Sequence, residues 1–170
     1  MVIRDKILEI AMKVGKTIIF VCTKESAGML HNALVRGDYG YPVSTIHGDC
    51  TREKRDKIVK EFKDGYTTIL ISTDVLARGF DQSEVNLVVN YDLRVVHGSP
   101  SEPDNDVYLH RIGRAGRFGR KGAVFNLICG ERDNMIMEKI EKHFKHNVTE
   151  VYSWTDNEQF EDALKKAGLI

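Results

Sequence analysis

Apolar positions along the chain fall into two kinds of pattern. Four runs are nearly continuous and rich in β-branched residues: "TIIFVC" (Thr17 to Cys22), "TILIST" (Thr68 to Thr73), "NLVVNY" (Asn86 to Tyr91) and "AVFNLI" (Ala123 to Ile128). Continuity without polar alternation is the pattern of strands buried on both faces of a parallel sheet. A weaker run, "VSTIHG" (Val43 to Gly48), predicts a fifth strand, and "VYSW" near the end is a candidate last edge strand. Between the runs the period changes to that of an amphipathic helix. Ile3, Ile7, Ala11 and Val14 form one stripe, Ile58, Val59 and Phe62 a second, Ile136, Ile140 and Phe144 a third, and Phe160, Leu164 and Ala167 a fourth. Alternating strand and helix predict an α/β fold, a mostly parallel, doubly wound sheet of about five or six strands with helices on both faces. Ligands of such sheets sit outside the carboxyl ends of the strands, so the turns after the strands are where function is expected.

Composition narrows this picture without redirecting it. At 170 residues, 42% of them hydrophobic, residues 1–170 form a single domain. Lys plus Arg and Asp plus Glu are both 25, so any contact with an anion must come from local clustering. Cys22, Cys50 and Cys129 are odd in number and never spaced as a pair, which argues against a disulfide framework or a zinc motif and fits a reducing compartment. No apolar run is long enough to span a membrane, and Met1 leads into an amphipathic pattern and not a signal peptide, so a monomeric protein of the cytoplasm or nucleus is expected.

The chemistry-bearing residues follow the strands. "STDVLARGFD" places Ser72 and Thr73 at a strand end, where they either cap a helix or help to hold an anion, and Asp81 either caps or binds a ribose hydroxyl. Gly48 ends the weak strand and allows close backbone approach, while Arg52 and Arg55 share a helix face that is either solvated or turned to RNA. Thr23 is another strand-end hydroxyl. Four histidines, His31, His47, His143 and His146, show no ligand spacing, and no metal site is expected. The segment Arg94 to Asp106, with two of the three prolines, is expected to be a mobile surface loop. It precedes "HRIGRAGRFGRKG" (His110 to Gly122), four arginines and a lysine with no acidic residue among them. Such a block is a solvated face, a tail or half of a site whose anion arrives from outside. If helical, Arg111, Arg114 and Arg117 would form a ladder of guanidinium groups, each suited to bidentate phosphate binding, and Gly113 and Gly116 beside them suggest close approach of another surface.

Together, "IIFVCT", "HGDCTREKR", "STDVLARGFD" and "HRIGRAGR", in that order and each at a strand end or in its turn, resemble the C-terminal motifs of DEAD-box ATP-dependent RNA helicases. The resemblance covers nearly the whole chain. It implies a RecA-like second domain of a two-domain motor for RNA unwinding or RNP remodelling, and it assigns roles by position. Arg114 and Arg117 would be arginine fingers on the γ-phosphate of ATP, and Asp81 and Gly79 would contribute to the nucleotide site, Asp81 at the ribose. Thr23, Gly48, Arg55, Thr73 and Gly79 would contact the RNA backbone, and His110 and Arg111 would organise the interface. The long loop, "GRFGRKG" and "NMIMEKIEKHF" are most similar to the nuclear-pore mRNA-export helicases, which implies export regulators as partners and a place at the pore. Arg52, Phe80 and Arg94 depart from the residues common at those positions. The chain has neither a G-x-x-x-x-G-K-[ST] phosphate loop nor a DEAD sequence. The resemblance therefore implies an N-terminal ATP-binding domain, absent from this chain, that holds the phosphates and Mg2+, and the chain alone is expected to be silent. Three alternatives stand beside this: an RNA-binding or docking module without ATP, a DNA-directed helicase domain, and an unrelated nucleotide-binding α/β domain.

Overall fold

The structure is a computed structural model that describes residues 9–35, 42–76, 85–151 and 157–170. Residues 9–14 are helical, followed by β1 (Thr17–Phe20), α1 (Lys24–Val35), β2 (Val43–Ile46), α2 (Arg52–Lys63) and β3 (Ile69–Ser72). A 3-10 turn (Asp74–Leu76) leads on towards β4 (Leu87–Asn90), the short β5 (Val95–Val96) and β6 (Ser99–Pro103), α3 (Asn105–Ile112), β7 (Ala123–Asn126), α4 (Glu131–Phe144) and α5 (Asn157–Ala167). Five strands form one sheet in the order β2-β3-β1-β4-β7, and every pairing in it is parallel. All five carboxyl ends consequently lie along one edge.

The continuous apolar runs are explained by burial on both faces. Ile19 of β1 and Val21 just after it face a core with Ala27, Leu30 and Leu34 of α1 and Leu164 of α5, whereas Ile18 and Phe20 face Ile58 and Phe62 of α2. Successive side chains of a strand point to opposite faces, so only a strand covered by helices on both sides can be apolar throughout. The four continuous runs and "VSTIHG" each form a strand, shorter than the run because its terminal residues, such as Cys22 and Tyr91, already belong to the edge. The helical stripes hold where they are described, with Ile136 and Ile140 buried and Phe144 packed beside them. Ile3 and Ile7 lie outside the described residues, as does most of "VYSW"; its first residue, Val151, is in no strand.

The segment Arg94 to Asp106 corrects the expectation of a mobile loop. β5 and β6 pair antiparallel as a hairpin. Its apolar side is small but used: Val95 packs with Leu93, Tyr108, Ile112, Ile136, Met137 and Ile140 in a third core, and Pro103 is buried. Two cations of α4 hold it from outside. Arg132 donates through Nε (3.3 Å) and Nη2 (3.0 Å) to the carbonyl of Pro100, and Lys139 Nζ donates to the carbonyl of Ser101 (2.9 Å) and to Glu102 (2.5 Å). The prolines sit where a two-stranded edge tolerates them, and Gly98, at φ 79°, makes the turn between the strands. Exposed ion pairs contribute little to global stability. Arg132→Ala with Lys139→Ala should therefore leave the melting temperature within a few degrees of the parent, while amide exchange of Ser99 and Ser101 accelerates; excision of residues 95–103 should instead cause cooperative loss of stability through the third core.

Candidate nucleotide and nucleic-acid interface

Edge residues on β2, β3 and β1 make a row. Gly48 follows β2, Thr73 follows β3 and Thr23 follows β1, on three consecutive strands. Thr23 caps α1: its Oγ1 accepts from the N–H of Ser26 (3.0 Å). Thr73 donates its own N–H to the carbonyl of Ile46 (3.2 Å), which ties the β3 edge to β2, and its carbonyl accepts from the Ser72 hydroxyl. The turn 48–50 is clasped by Arg55, whose Nη2 donates to the Gly48 carbonyl (2.8 Å) and Nε to the Cys50 carbonyl (3.0 Å). Arg55 thus spends two of its five N–H donors on holding that turn. A methyl group built on Gly48 would meet nothing within 4 Å among the described residues, so none of them makes the close approach expected there. Lys24 Nζ reaches Asp49 (2.8 Å) across the same edge, raising the lysine pKa and lowering that of the aspartate through their hydrogen bond.

On the other side of β1 the edge is closed by a buried guanidinium. Arg111, with 1% of its side chain exposed, leaves α3 to lie over the Phe20 ring (5.3 Å). Its Nε and Nη2 are both 2.7 Å from Asp74 Oδ1, and its Nη1 donates to the Asp92 carbonyl (2.8 Å) and towards Asn90 Oδ1 (3.5 Å). Asn90 in turn donates to Asn126 (2.8 Å), its register partner on β7, and Asn126 donates to the Tyr108 hydroxyl (3.3 Å). Asp92 accepts from the Cys22 N–H (3.0 Å). Burial, and next the hydrogen bond to Asp92, push the Cys22 thiol from 9.0 up to about 11, so this sulfur is a neutral filler near Arg111 at neutral pH. The network therefore joins β1, β3, β4, β7 and α3.

The expected guanidinium ladder does not form. α3 ends at Ile112, its cap Gly113 donating N–H to the Leu109 carbonyl (3.0 Å), and the three arginines point their chemistry in different directions. Arg111 is structural and ion-paired, so the block is not wholly uncompensated. Arg114 is buried, with Nε donating to the His110 carbonyl (3.1 Å), and Arg117 Nε donates to the Gly113 carbonyl (2.7 Å). His110 itself is exposed. The close approach predicted for Gly116 is internal: Gly116 and Gly122 meet backbone to backbone, and a methyl group on Gly122 would lie 2.3 Å from the Gly116 nitrogen. Gly116 also donates N–H to the Val85 carbonyl (3.2 Å), just before β4. Gly79 and Asp81 lie outside the described residues. Among the described residues no three His, Cys, Asp or Glu side chains converge as metal ligands.

Residues 3–119 match the family described as helicase conserved C-terminal domain. The chain belongs to this family. Within it the helicase domain is similar to DEAD-box ATP-dependent RNA helicase 38 of Oryza sativa subsp. japonica, with 62% identity over 99% of this chain and 33% of the relative. It is also similar to the solved structure of S. cerevisiae Dbp5 bound to RNA and ADP BeF3, at 36% identity and a TM-score of 0.84, covering 96% of this chain and 41% of that one. A Dbp5 variant bound to Nup159, Gle1, IP6 and ADP is a further match, at 32% identity and a TM-score of 0.77 over 98% of this chain and 42% of that one. The helicase domain thus spans about a third of the length of the curated relatives it matches. The fold is RecA-like and the DEAD-box resemblance read from the motifs holds.

Sequence reasoning named Arg111 but missed the residues that fix it. Asn90 and Asn126 were legible as polar residues at the same register of two apolar strands, and Asp74 as an acid at a strand end. Removing either charge of a buried pair strands the other. Asp74→Leu should cost about 3–5 kcal/mol in urea unfolding. Arg111→Met should cost less, because Asp74 keeps 22% exposure and can be hydrated. The double variant should fall well short of the sum, and strict additivity would mean that the pair is not coupled.

Proposed function

We propose that this chain is the C-terminal half of an ATP-dependent DEAD-box RNA helicase, working on single-stranded or duplex RNA by unwinding or RNP remodelling. The observation that carries the proposal is the division of one sheet edge by β1. On one side stands the row Gly48, Thr73 and Thr23, with the Arg55-clasped turn; on the other, Arg111, paired with Asp74, lies at the end of α3 directly before the turn that bears Arg114 and Arg117. A preceding RecA-like domain in cis, carrying the phosphate loop and Mg2+, would supply the rest of the ATP site, with Asp81 and Gly79 of this chain contributing at the nucleotide. Similarity to helicases named as ATP-dependent and to Dbp5 bound to RNA and ADP BeF3 supports both halves of the reading.

In this reading RNA is held by its backbone: hydroxyls, a glycine turn with no side chain in the way and guanidinium donors recognise phosphate and sugar and carry no base code. When the two domains close, Arg114 and Arg117 present positive charge to the transferring γ-phosphoryl group, where charge spreads over the equatorial oxygens. Their backbone-anchored Nε groups hold the planar heads in place, and His110 and Arg111 organise the surface behind them. Gle1-type and Nup159-type partners, named with the Dbp5 variant, support a role in mRNA export at the nuclear pore.

The test uses a two-domain protein in which this chain follows the phosphate-loop domain. At saturating RNA and ATP, Arg114→Ala and Arg117→Ala should each lower turnover about 10²-fold or more, and lysine should rescue poorly because it lacks the planar fork. Arg120→Ala, in the same block but exposed, should retain most of it. Near-normal turnover in both alanine variants, with only RNA affinity altered, would remove the finger assignment.

A further inference from the structure

The hairpin of β5 and β6 is not a regular ladder. Val96 faces Ser99 and Val95 faces Pro103, so one step along β5 spans four along β6, and Pro100, Ser101 and Glu102 oppose nothing. These three residues bulge outward and are exposed, between a half-buried Ser99 and a buried Pro103. Carbonyls released by the bulge are answered from α4: Arg132 takes that of Pro100, and Lys139 takes that of Ser101 together with the Glu102 carboxylate. The two cations stand two turns apart on one face of the helix. Arg132 is the less neutralised of them. It spends Nε and Nη2 on a neutral carbonyl, and no carboxylate of the described residues pairs with it. Ser101 is open as well, its hydroxyl having no hydrogen-bond partner among the described residues. Ser101 and Arg132 line one cavity of about 240 Å³ with Glu131, Met135 and Ile136.

We propose that Ser101 is a phosphorylation site for an acid-directed serine kinase, and that Arg132 and Lys139 receive the phosphate it gains. The proposal is independent of RNA and ATP binding by this domain. Ser101 lies in extended backbone, the shape a kinase cleft accepts, on a bulge held by exposed contacts that open at little cost. Carboxylates follow it at the next position, Glu102, and at the third, Asp104, which suits a kinase with a basic substrate groove. In the reaction the Ser101 Oγ bonds to the γ-phosphorus of ATP as the bond from that phosphorus to the β,γ-bridging oxygen breaks. ADP leaves, and the hydroxyl proton passes to the catalytic base of the kinase. The product carries a charge of about −1.5 to −2 at neutral pH and three acceptor oxygens. Arg132 has N–H groups to spare and Lys139 Nζ is beside the same bulge, so both answer it with charge-assisted bonds that outweigh the repulsion of Glu102 and Glu131. Phosphorylation therefore tightens the hairpin on α4, and with it the third core around Val95.

The test incubates the folded chain with casein kinase II, an acid-directed serine kinase, and ATP, beside a peptide of residues 97–107. Both should gain phosphate at Ser101, located by fragment mass, and Ser101→Ala should abolish the gain at that position. A chain left unmodified, or modified only at other positions, overturns the proposal whether or not the peptide is a substrate. In the phosphorylated chain the amides of Val96 and Ser99 should exchange more slowly than in the parent, by about fivefold or more. By phosphorus NMR the phosphate should titrate at a lower pH in the chain than in the peptide, because the two cations favour its dianion. Arg132→Ala with Lys139→Ala, which leaves the fold intact, should still be phosphorylated and should lose both effects. Phosphate at Ser101 with unchanged exchange and the titration of the free peptide, or effects that survive removal of both cations, would show that α4 does not receive it.

Discussion

A guanidinium group with almost no exposed surface must have its charge and donors answered from within, and at Arg111 that demand organises the functional edge. Its partners are a carboxylate after β3, a carbonyl and an amide at the end of β4, and the ring of Phe20 in β1. Those groups come from three strands that are adjacent in space and distant in sequence. Desolvating one charge is tolerable only when geometry and hydrogen bonding are both satisfied. The network can therefore exist in one arrangement of β1, β3, β4 and α3, and α3 must end where Arg111 is delivered.

Two consequences run outward from this point. Towards β3, Asp74 is held immediately after Thr73, so the residue proposed to touch RNA and the pair that supports the arginine turn share a peptide bond. Towards the chain end, a helix stopped at Ile112 leaves residues 113–122 to return as a closed turn, and the Gly116–Gly122 contact makes that turn stiff. Arg114 and Arg117, the arginines proposed to face the nucleotide, are accordingly carried on a short loop rooted in the core, which is the preorganisation that charge stabilisation of a phosphoryl transfer would require. An RNA-side change at Thr73 has a covalent route to the same support.

Strand order aside, much of the fold was legible because continuous apolar runs have one physical explanation, burial on both faces, and four of the five sheet strands appear where such runs stand, β2 coming from the weaker "VSTIHG". The first three motifs were legible because each stands at a strand end, whereas "HRIGRAGR" lies on the end of α3 and the turn before β7. What escaped is what depends on contacts between distant segments. Arg94 to Asp106 read as a loop since its prolines and polar residues dominate locally; its few apolar residues count only when α4 is brought beneath them, and its carbonyls only when Arg132 and Lys139 arrive. The arginine spacing of three read as a helical ladder, yet Gly113 and Gly116 break the helix, and one of the three arginines is an interior group. The neutralising acid, Asp74, lies 37 residues away in sequence, beyond the reach of any local pattern.

The central claim, that the buried Arg111 network holds the arginine turn in place, is tested most directly by amide hydrogen exchange of Arg111→Met beside the parent chain under conditions where both remain folded. If the account is right, the N–H groups of Gly116 and Arg120, which bond to Val85 and Arg117, should lose protection by about tenfold or more, while Ile19 and Ile71 in the sheet centre fall only by the change in global stability. Full retention of protection at Gly116 and Arg120 would contradict it, and would mean that the glycine neck alone fixes the turn.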